Sequence, residues 1–450
     1  MGVRFHLVSL GCAKNTVDSE SMATLLGRAG YQASADPSNA DVLIVNTCGF
    51  IGPAKEESLR VLRELAEGKQ DHQRLIAAGC LTQRYGAKIA GDVPGIDGIL
   101  GTRRWMDIVE VVQKLRSTPQ PQPLYHLPEQ VTVGQDERGV DRIALQGPSA
   151  YLKIADGCRR PCAFCAIPLI KGTAVSRPIA TILGEAQRLA AGGIRELILI
   201  AQDTTDYGHD LGMRDGLAQL LEQLVLEAPE IDWIRVMYAY PGYVTDRLIE
   251  VMASSSQVLP YLDMPLQHGN RQVLRRMRRP ANLAWVYSTI DKMRTAIPDL
   301  ALRTTFIVGY PGETQAEFED LLAFIKDIRF DRVGAFPFSF EPGTASEALG
   351  DPVAPEVKQD RLDRLMSLQQ GISLQRNQEF VGRTLMTLIE GSQEGISLGR
   401  SYRDAPEVDG FVLIEGEIPV GEMLPVLING AMPYDLSGQV LLQDPQVIGL

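Results

Sequence analysis

Cys158, Cys162 and Cys165 fall within eight residues, in the stretch 156–168 that reads Asp-Gly-Cys-Arg-Arg-Pro-Cys-Ala-Phe-Cys-Ala-Ile-Pro. The chain has six cysteines, so half of them are gathered here. Iron–sulfur clusters are held by Cys thiolates, usually four. Three thiolates would leave one iron of a four-iron core open to a ligand that is not protein. An open iron points to chemistry, whereas a closed site points to structure or simple electron transfer. The competing readings are a disulfide with a spare thiol, inert buried cysteines and a structural zinc site. Zinc normally asks for paired ligand sets, or for Cys with His. No second C-x2-C exists, and no His stands within twenty residues of the triplet.

The other three cysteines, Cys12, Cys48 and Cys80, are spaced by 36 and 32 residues. Each follows a short apolar run: Phe5–Leu10, Asp41–Asn46 and Arg74–Ala78. Helical patterns follow at Val17–Gly27, Ala54–Ala66 and Leu81–Ala90. Alternating strand and helix patterns imply a parallel sheet with helices on its faces. Ligand sites in open α/β sheets form outside the carboxyl ends of the strands. The repeat therefore brings three thiols to one edge; the alternative is three unrelated small buried residues.

The same periodicity returns further along the chain. Strands are expected at Ala150–Ala155, Glu196–Ala201, Trp233–Tyr238, Tyr261–Leu266, Leu302–Val308 and Arg332–Phe338, with helices such as Thr181–Ala191, Leu217–Glu227 and Thr314–Ile328 between them. Six units are too few for an eight-fold barrel and fit a partial, open (βα)6 barrel. Cys158 then lies at the C-terminal face, where such barrels do chemistry. A polar helix over Pro355–Phe380 closes this region. Short β-rich pieces such as Thr384–Ile389 and Phe411–Ile414 follow, and they read as a small antiparallel barrel of about five strands. The Pro/Gln run Ser117–Leu124 and the polar stretch Glu129–Asp141 form the clearest boundary. The expected class is α/β throughout the first two units. The expected boundaries are an N-terminal parallel-sheet domain over 1–116, a linker over 117–143, a barrel core over 144–374 and a β-barrel over 376–448.

Several strand ends offer ligand-lining candidates. Gln202, Asp203 and Thr204 follow the second barrel strand, and Gln267 and His268 follow the fourth. The turn Gly309–Thr314 follows the fifth, and its Gly309 and Gly312 would let backbone approach a ligand. That turn also reads as a plain strand-to-helix connection, and His268 as a hydrogen-bond anchor. Five Arg in 271–279 read more readily as a solvated helix face than as an anion site.

With 450 residues, 45% hydrophobic and 22% charged, the chain is long enough for two or three domains of a soluble globular protein. No apolar run approaches a membrane span, and no targeting signal is read at the N-terminus, so cytoplasmic residence is expected. Few cysteines in a long chain fit a reducing compartment. The net charge is −12, and residues 376–450 carry four Arg, no Lys and eleven Asp or Glu, or 4 − 11 = −7. That concentration disfavours nucleic acid and favours a basic partner.

The C-x3-C-x2-C spacing, with Phe164 before its last Cys, resembles the signature of radical S-adenosylmethionine (SAM) enzymes. The two triads together, flanking a barrel core and a terminal β-barrel, resemble the methylthiotransferases across essentially the whole chain. In that family an N-terminal three-cysteine domain and a radical SAM core precede a barrel called TRAM. The stretches Ser9–Asn15, Val17–Glu20, Asn46–Ile51, Ala201–Thr205 and Asp404–Gly410 are similar to the RimO-type branch. That branch modifies an aspartate of a small-subunit ribosomal protein; the other branch modifies tRNA adenosine. The resemblance implies a radical-generating [4Fe-4S] cluster on Cys158, Cys162 and Cys165, and an auxiliary [4Fe-4S] cluster on Cys12, Cys48 and Cys80. It also implies SAM near Gln202, Asp203, Gln267, Gly309 and Gly312, a basic ribosomal protein as substrate and a reductant protein. The product would carry a methylthio group on the aspartate β-carbon. No general base is assignable.

Overall fold

The computed structural model describes residues 2–117, 122–129 and 138–441. The first unit is a six-stranded, wholly parallel sheet. Its strands are β1 (Arg4–Ser9), β2 (Gln32–Ala33), β3 (Val42–Thr47), β4 (Arg74–Gly79), β5 (Gly98–Gly101) and β6 (Leu124–His126), in the order β2-β1-β3-β4-β5-β6. The helices are α1 (Ala13–Arg28), α2 (Gly52–Gly68), α3 (Cys80–Tyr85), α4 (Ala87–Asp92) and α5 (Ile108–Ser117). Every residue of β3 is buried, as an apolar run covered on both faces must be. The single helix expected near Leu81–Ala90 is two, broken at Gly86, whose φ of 48° an α-helix does not accept. The stretch read as a linker contributes β6, which pairs with β5. Its residues 118–121 and 130–137 lie outside the described residues.

The second unit opens with β7 (Ile143–Gln146), a hairpin partner of β8 (Ser149–Lys153). Five more parallel strands extend the sheet: β11 (Glu196–Ile200), β12 (Trp233–Val236), β13 (Val258–Asp263), β14 (Ala301–Val308) and β15 (Arg332–Pro337). The order β15-β14-β13-β12-β11-β8-β7 is an unclosed sheet, in keeping with six (βα) units. A small ribbon, β9 (Ala155–Asp156) with β10 (Val175–Ser176), brackets the cysteine loop and α6 (Ile167–Lys171). The outer helices are α7 (Ile179–Ala191), α8 (Gly216–Glu227), α9 (Asp246–Ser254), α10 (Arg271–Arg276), α11 (Leu283–Ala296) and α12 (Gln315–Ile328), followed by α13 (Pro355–Gln378). A capping box of Thr314 and Glu317 starts α12.

The third unit is a closed barrel of β16 (Thr384–Gln393), β17 (Ile396–Ser401), β18 (Val412–Glu415), β19 (Met423–Ala431) and β20 (Leu436–Val440). It sits at the end of the central sheet opposite the cysteine loop. Arg400 reaches Glu196 at the start of β11 at 2.5 Å, and Asp404 takes Arg332 at the start of β15 at 2.6 Å. The other end is filled by α1. Its Ala13 and Val17 share a buried cluster with Tyr151, Ile198, Ile200 and Met237 of the central sheet, and with Leu388 and Ala405 of the third unit. Among the described residues, no helix is long and apolar enough to cross a membrane.

Candidate active site

The loop carrying Cys158, Cys162 and Cys165 leaves the sheet after β9 and returns through α6. Gly157 has φ of +76°, and a Cβ there would collide with the carbonyl of Thr173. Only glycine lets the loop close on itself at this point. The Cys158 amide donates to Gly172 O at 3.0 Å, and the Cys165 amide to Cys162 O at 3.1 Å. Two further backbone bonds tie the loop down: Ala163 N to Met277 O (2.9 Å) and Ser346 N to Ala163 O (2.8 Å). Phe164 packs beside Val273, Met277, Tyr310 and Phe338. All three thiols line one cavity of ≈ 460 Å³.

Arginines, two of them paired with carboxylates, stand beside that cavity. Arg279 points Nη1 at Cys162 Sγ from 3.6 Å and stacks on Tyr240. Arg160 lies over Tyr240 and Tyr243 while Asp203 takes its Nε at 2.6 Å. Burial pushes the Cys158 thiol up to about 11 and the Cys165 thiol to about 12. Thiols raised this far stay protonated at neutral pH unless a bound metal supplies the opposing charge.

Cys12, Cys48 and Cys80 stand at the C-terminal edge of the first sheet. Cys12 is the N-cap of α1, Cys48 follows β3 directly, and Cys80 begins α3 after β4. Asn15 and Asn46 lock the first two loops. Asn15 Nδ2 donates to Leu10 O (2.6 Å) and Asn46 O (3.1 Å), and Asn46 Nδ2 returns to Asn15 O (2.9 Å). Ser58 fixes Cys48 from both sides, accepting from its amide at 3.0 Å and donating to its carbonyl at 2.9 Å. A Cβ on Gly11 would meet Cys48 Sγ at 3.0 Å, so the two loops touch. Burial pushes the Cys80 thiol up to about 12; neighbouring Cys48 and Cys12 raise it and Lys171 lowers it.

Among the described residues, no group of three or more His, Cys, Asp or Glu side chains is arranged to hold a single metal ion. A four-iron core is wider than one ion, and its ligand sulfurs stand further apart than the four around zinc. Three thiols on a shared cavity, and three more at one sheet edge, match the wider core in donor type.

The ligand-lining candidates divide. Gln202 is half-buried beyond β11, its Nε2 lies 3.4 Å from Asp156, and its Oε1 is buried without a hydrogen-bond partner. Such an orphan acceptor suits a ligand ammonium group. Asp203 is committed to Arg160 and to Thr205 Oγ1 (2.6 Å). Gln267 holds a left-handed backbone (φ 74°) that bridges to β14 through Thr305 O and Ile307 N. Gly309 is required for packing, because a Cβ would run into Lys358 of α13. Gly312, also at positive φ, lies under Arg276. His268 belongs to a buried network, accepting from Asn270 N at 2.9 Å with Glu313 3.6 Å from its Nε2. Of the five Arg in 271–279, Arg276 pairs with Glu317 on the helix face, but Arg279 turns inward to the cysteines. Its dense basic surroundings in sequence masked that inward turn.

A further group lay outside the sequence reading. Asp18, Arg142, Lys153, Asp156 and Lys171 form one buried ion cluster joining α1, which follows Cys12, to the elements that flank the Cys158 loop, every side chain at most 3% exposed. The available signals were a Lys in the apolar run of β8 and an Asp on the buried face of α1.

Comparison with known proteins matches three family descriptions: Uncharacterized protein family UPF0004 over residues 4–101, the Radical SAM superfamily over 152–325 and the TRAM domain over 381–441. A protein of Chloroflexus aurantiacus named ribosomal protein uS12 methylthiotransferase RimO is 50% identical over 98% of this chain and 100% of its own length. Proteins of the same name from Roseiflexus castenholzii and Symbiobacterium thermophilum are 46% and 45% identical, over 98% and 97% of this chain and 96% and 91% of their own. Among solved structures, a radical S-adenosylmethionine methyltransferase, TsrM, from Kitasatospora setae aligns with a TM-score of 0.57. The alignment covers 88% of this chain and 81% of that one at 13% identity, a likeness of fold.

Proposed function

The chain belongs to the RimO family of ribosomal protein uS12 methylthiotransferases, and from that premise we propose how its residues divide the work. It is a radical SAM enzyme, a sulfur-transferring transferase that places a methylthio group on uS12 with the help of an iron–sulfur cluster and SAM. Cys158, Cys162 and Cys165 hold the radical-generating [4Fe-4S] cluster. Cys12, Cys48 and Cys80 hold a second one. When bound, these groups and SAM supply a hydrogen-abstracting radical at one centre and sulfur at the other. The chain's own residues do the placing. Gly157 shapes the loop, and Arg279 and Arg160 set positive charge beside the thiolates. Gln202, with its unpartnered buried Oε1, would help hold SAM through the ammonium of its amino-acid end. Of the other SAM-lining candidates, Gln267 offers its strained backbone at the strand edge, while Asp203, Gly309 and Gly312 shape the walls from behind.

The target is the β-carbon of an aspartate in uS12, and electrons come from a separate reductant protein. The observation that carries this reading is the pair of cysteine triads at strand ends of two domains, whose supporting elements are joined by buried ion pairs. The surface of the terminal barrel favours protein over tRNA. Between residues 384 and 440 both Arg, Arg400 and Arg403, are buried, whereas Glu394, Glu415, Glu417 and Glu422 are exposed. That face repels phosphates and attracts a basic ribosomal protein. Mass spectrometry of uS12 and tRNA from cells lacking the protein tests this. Loss of the methylthio group from uS12 alone is expected. Its loss from tRNA adenosine, with uS12 unchanged, would overturn the assignment of substrate.

A further inference from the structure

We propose that Asp18 is the positioning residue that sets the two cysteine triads in register. The proposal rests on the two-centre reading above. Asp18 lies in α1, the helix capped by Cys12, 18 − 12 = 6 residues beyond that thiol. Its Oδ1 receives Lys153 Nζ at 2.8 Å and Arg142 Nη2 at 2.5 Å, and its Oδ2 receives Lys171 Nζ at 2.7 Å. Lys153 is the last residue of β8, 158 − 153 = 5 residues before Cys158. Lys171 is the last residue of α6, 171 − 165 = 6 residues after Cys165. The strand that enters the triplet loop and the helix that leaves it are thus fastened to one carboxylate of the neighbouring domain.

The same three cations hold Asp156, at 2.6 Å from Lys153, 3.2 Å from Arg142 and 3.4 Å from Lys171. Arg142 also lies over the ring of Trp105, 4.5 Å from its centroid, on the first domain. The cluster sets three cations against these two carboxylates in a space closed to water. The helix α6 that ends at Lys171 also packs against α3, the helix that begins at Cys80, so the cluster is anchored to elements carrying both triads. Apolar packing of α1 into the sheet already supplies adhesion. What the ion cluster adds is direction: hydrogen-bonded charges fix one arrangement where apolar contacts tolerate several. A reaction whose two centres act on one carbon depends on that arrangement, because small misplacements cost rate steeply.

The test uses the anaerobically reconstituted holoenzyme with uS12, SAM and a chemical reductant. Wild type must first show iron for two clusters and methylthio transfer; failure there would refute the functional reading before any variant is made. In Asp18→Asn, full iron content and continued formation of 5′-deoxyadenosine are expected. The 5′-deoxyadenosine released per methylthio group transferred should rise by a factor on the order of 10². The electron paramagnetic resonance of the fully reduced protein should show an altered interaction between the two clusters. Should Asp18→Asn fail to load iron, the double variant Asp18→Asn/Lys171→Met removes one carboxylate together with a cation paired to it and carries the same two readouts. An unchanged product ratio and an unchanged cluster interaction in a folded variant would overturn the proposal. So would loss of the fold in both variants, which would leave Asp18 a purely structural role.

Discussion

At the scale of the residue, the proposal assigns the chemistry to six thiols, and their surroundings set their state. Cys80, Cys158 and Cys165 are held well above the ordinary thiol range by burial. Binding iron must therefore displace protons, and iron uptake by the cluster-free protein should weaken as pH falls. The triads should separate in their consequences. Cys158→Ala should abolish 5′-deoxyadenosine formation. Cys48→Ala should retain SAM cleavage while ending methylthio transfer, both read by chromatography of the reaction mixture. Equal loss of SAM cleavage in the two variants would contradict the division of labour. The placement of the cysteines at strand ends was legible in the sequence, because their spacing is local in one triad and keyed to a βα repeat in the other. Asp18 and Lys153 were not legible, because a charge inside an apolar run says nothing of its partner 135 residues away. Arg279 was lost among four neighbouring Arg, since side-chain direction on an irregular turn has no period to read.

Elements turn those residues into a site. Parallel strands end in loops at one edge, so β1, β3 and β4 deliver three cysteines and β8 delivers three more. Glycines at fixed points permit the loops. Gly157→Ala would place a side chain at φ +76° and against Thr173 O. Strain of this kind costs roughly 1–3 kcal/mol, and it falls on the loop that carries the triplet. Reduced iron content, with the far-ultraviolet circular dichroism unchanged, is expected; wild-type iron content would show that the loop does not need this turn. The long strands and helices of the first two units were legible from their apolar periods. The short strands β2, β9 and β10 were not. Two residues carry no period, and each is held by its neighbours in space. The break at Gly86 shows the converse, a helical period that one backbone angle overrides.

The whole molecule is a stack in which each domain closes an end of the central sheet. The terminal barrel does so with charge. Glu196 receives Arg235 Nε at 2.7 Å and Arg400 Nη2 at 2.5 Å, with all three side chains buried. These arginines hold the Glu196 carboxyl down at about 2 against an ordinary 4.5. A carboxyl depressed on folding contributes fully above its ordinary value and loses that contribution as pH falls toward the lowered one. Glu196→Gln should therefore lower stability by about 3–5 kcal/mol at neutral pH, by taking the carboxylate from buried Arg235, while Arg400 keeps Glu390 at 2.5 Å. It should also flatten the fall in stability between pH 4.5 and pH 2. Thermal melts across that range decide it, and parallel curves for wild type and variant would contradict the ion-pair account. That the stretch Asp404–Gly410 plugs this end was not legible, since its acids look like a solvated surface in sequence. Asp404 and Asp409 are in fact turned inward, to Arg332 and to Tyr261. Exposed acids remain on the barrel at Glu394, Glu415, Glu417 and Glu422. The most direct measurement is anaerobic turnover with equal amounts of purified uS12 and tRNA, followed by mass spectrometry of both. The account expects one methylthio group on an aspartate of uS12 and none on tRNA; unmodified uS12 beside methylthiolated adenosine would contradict it.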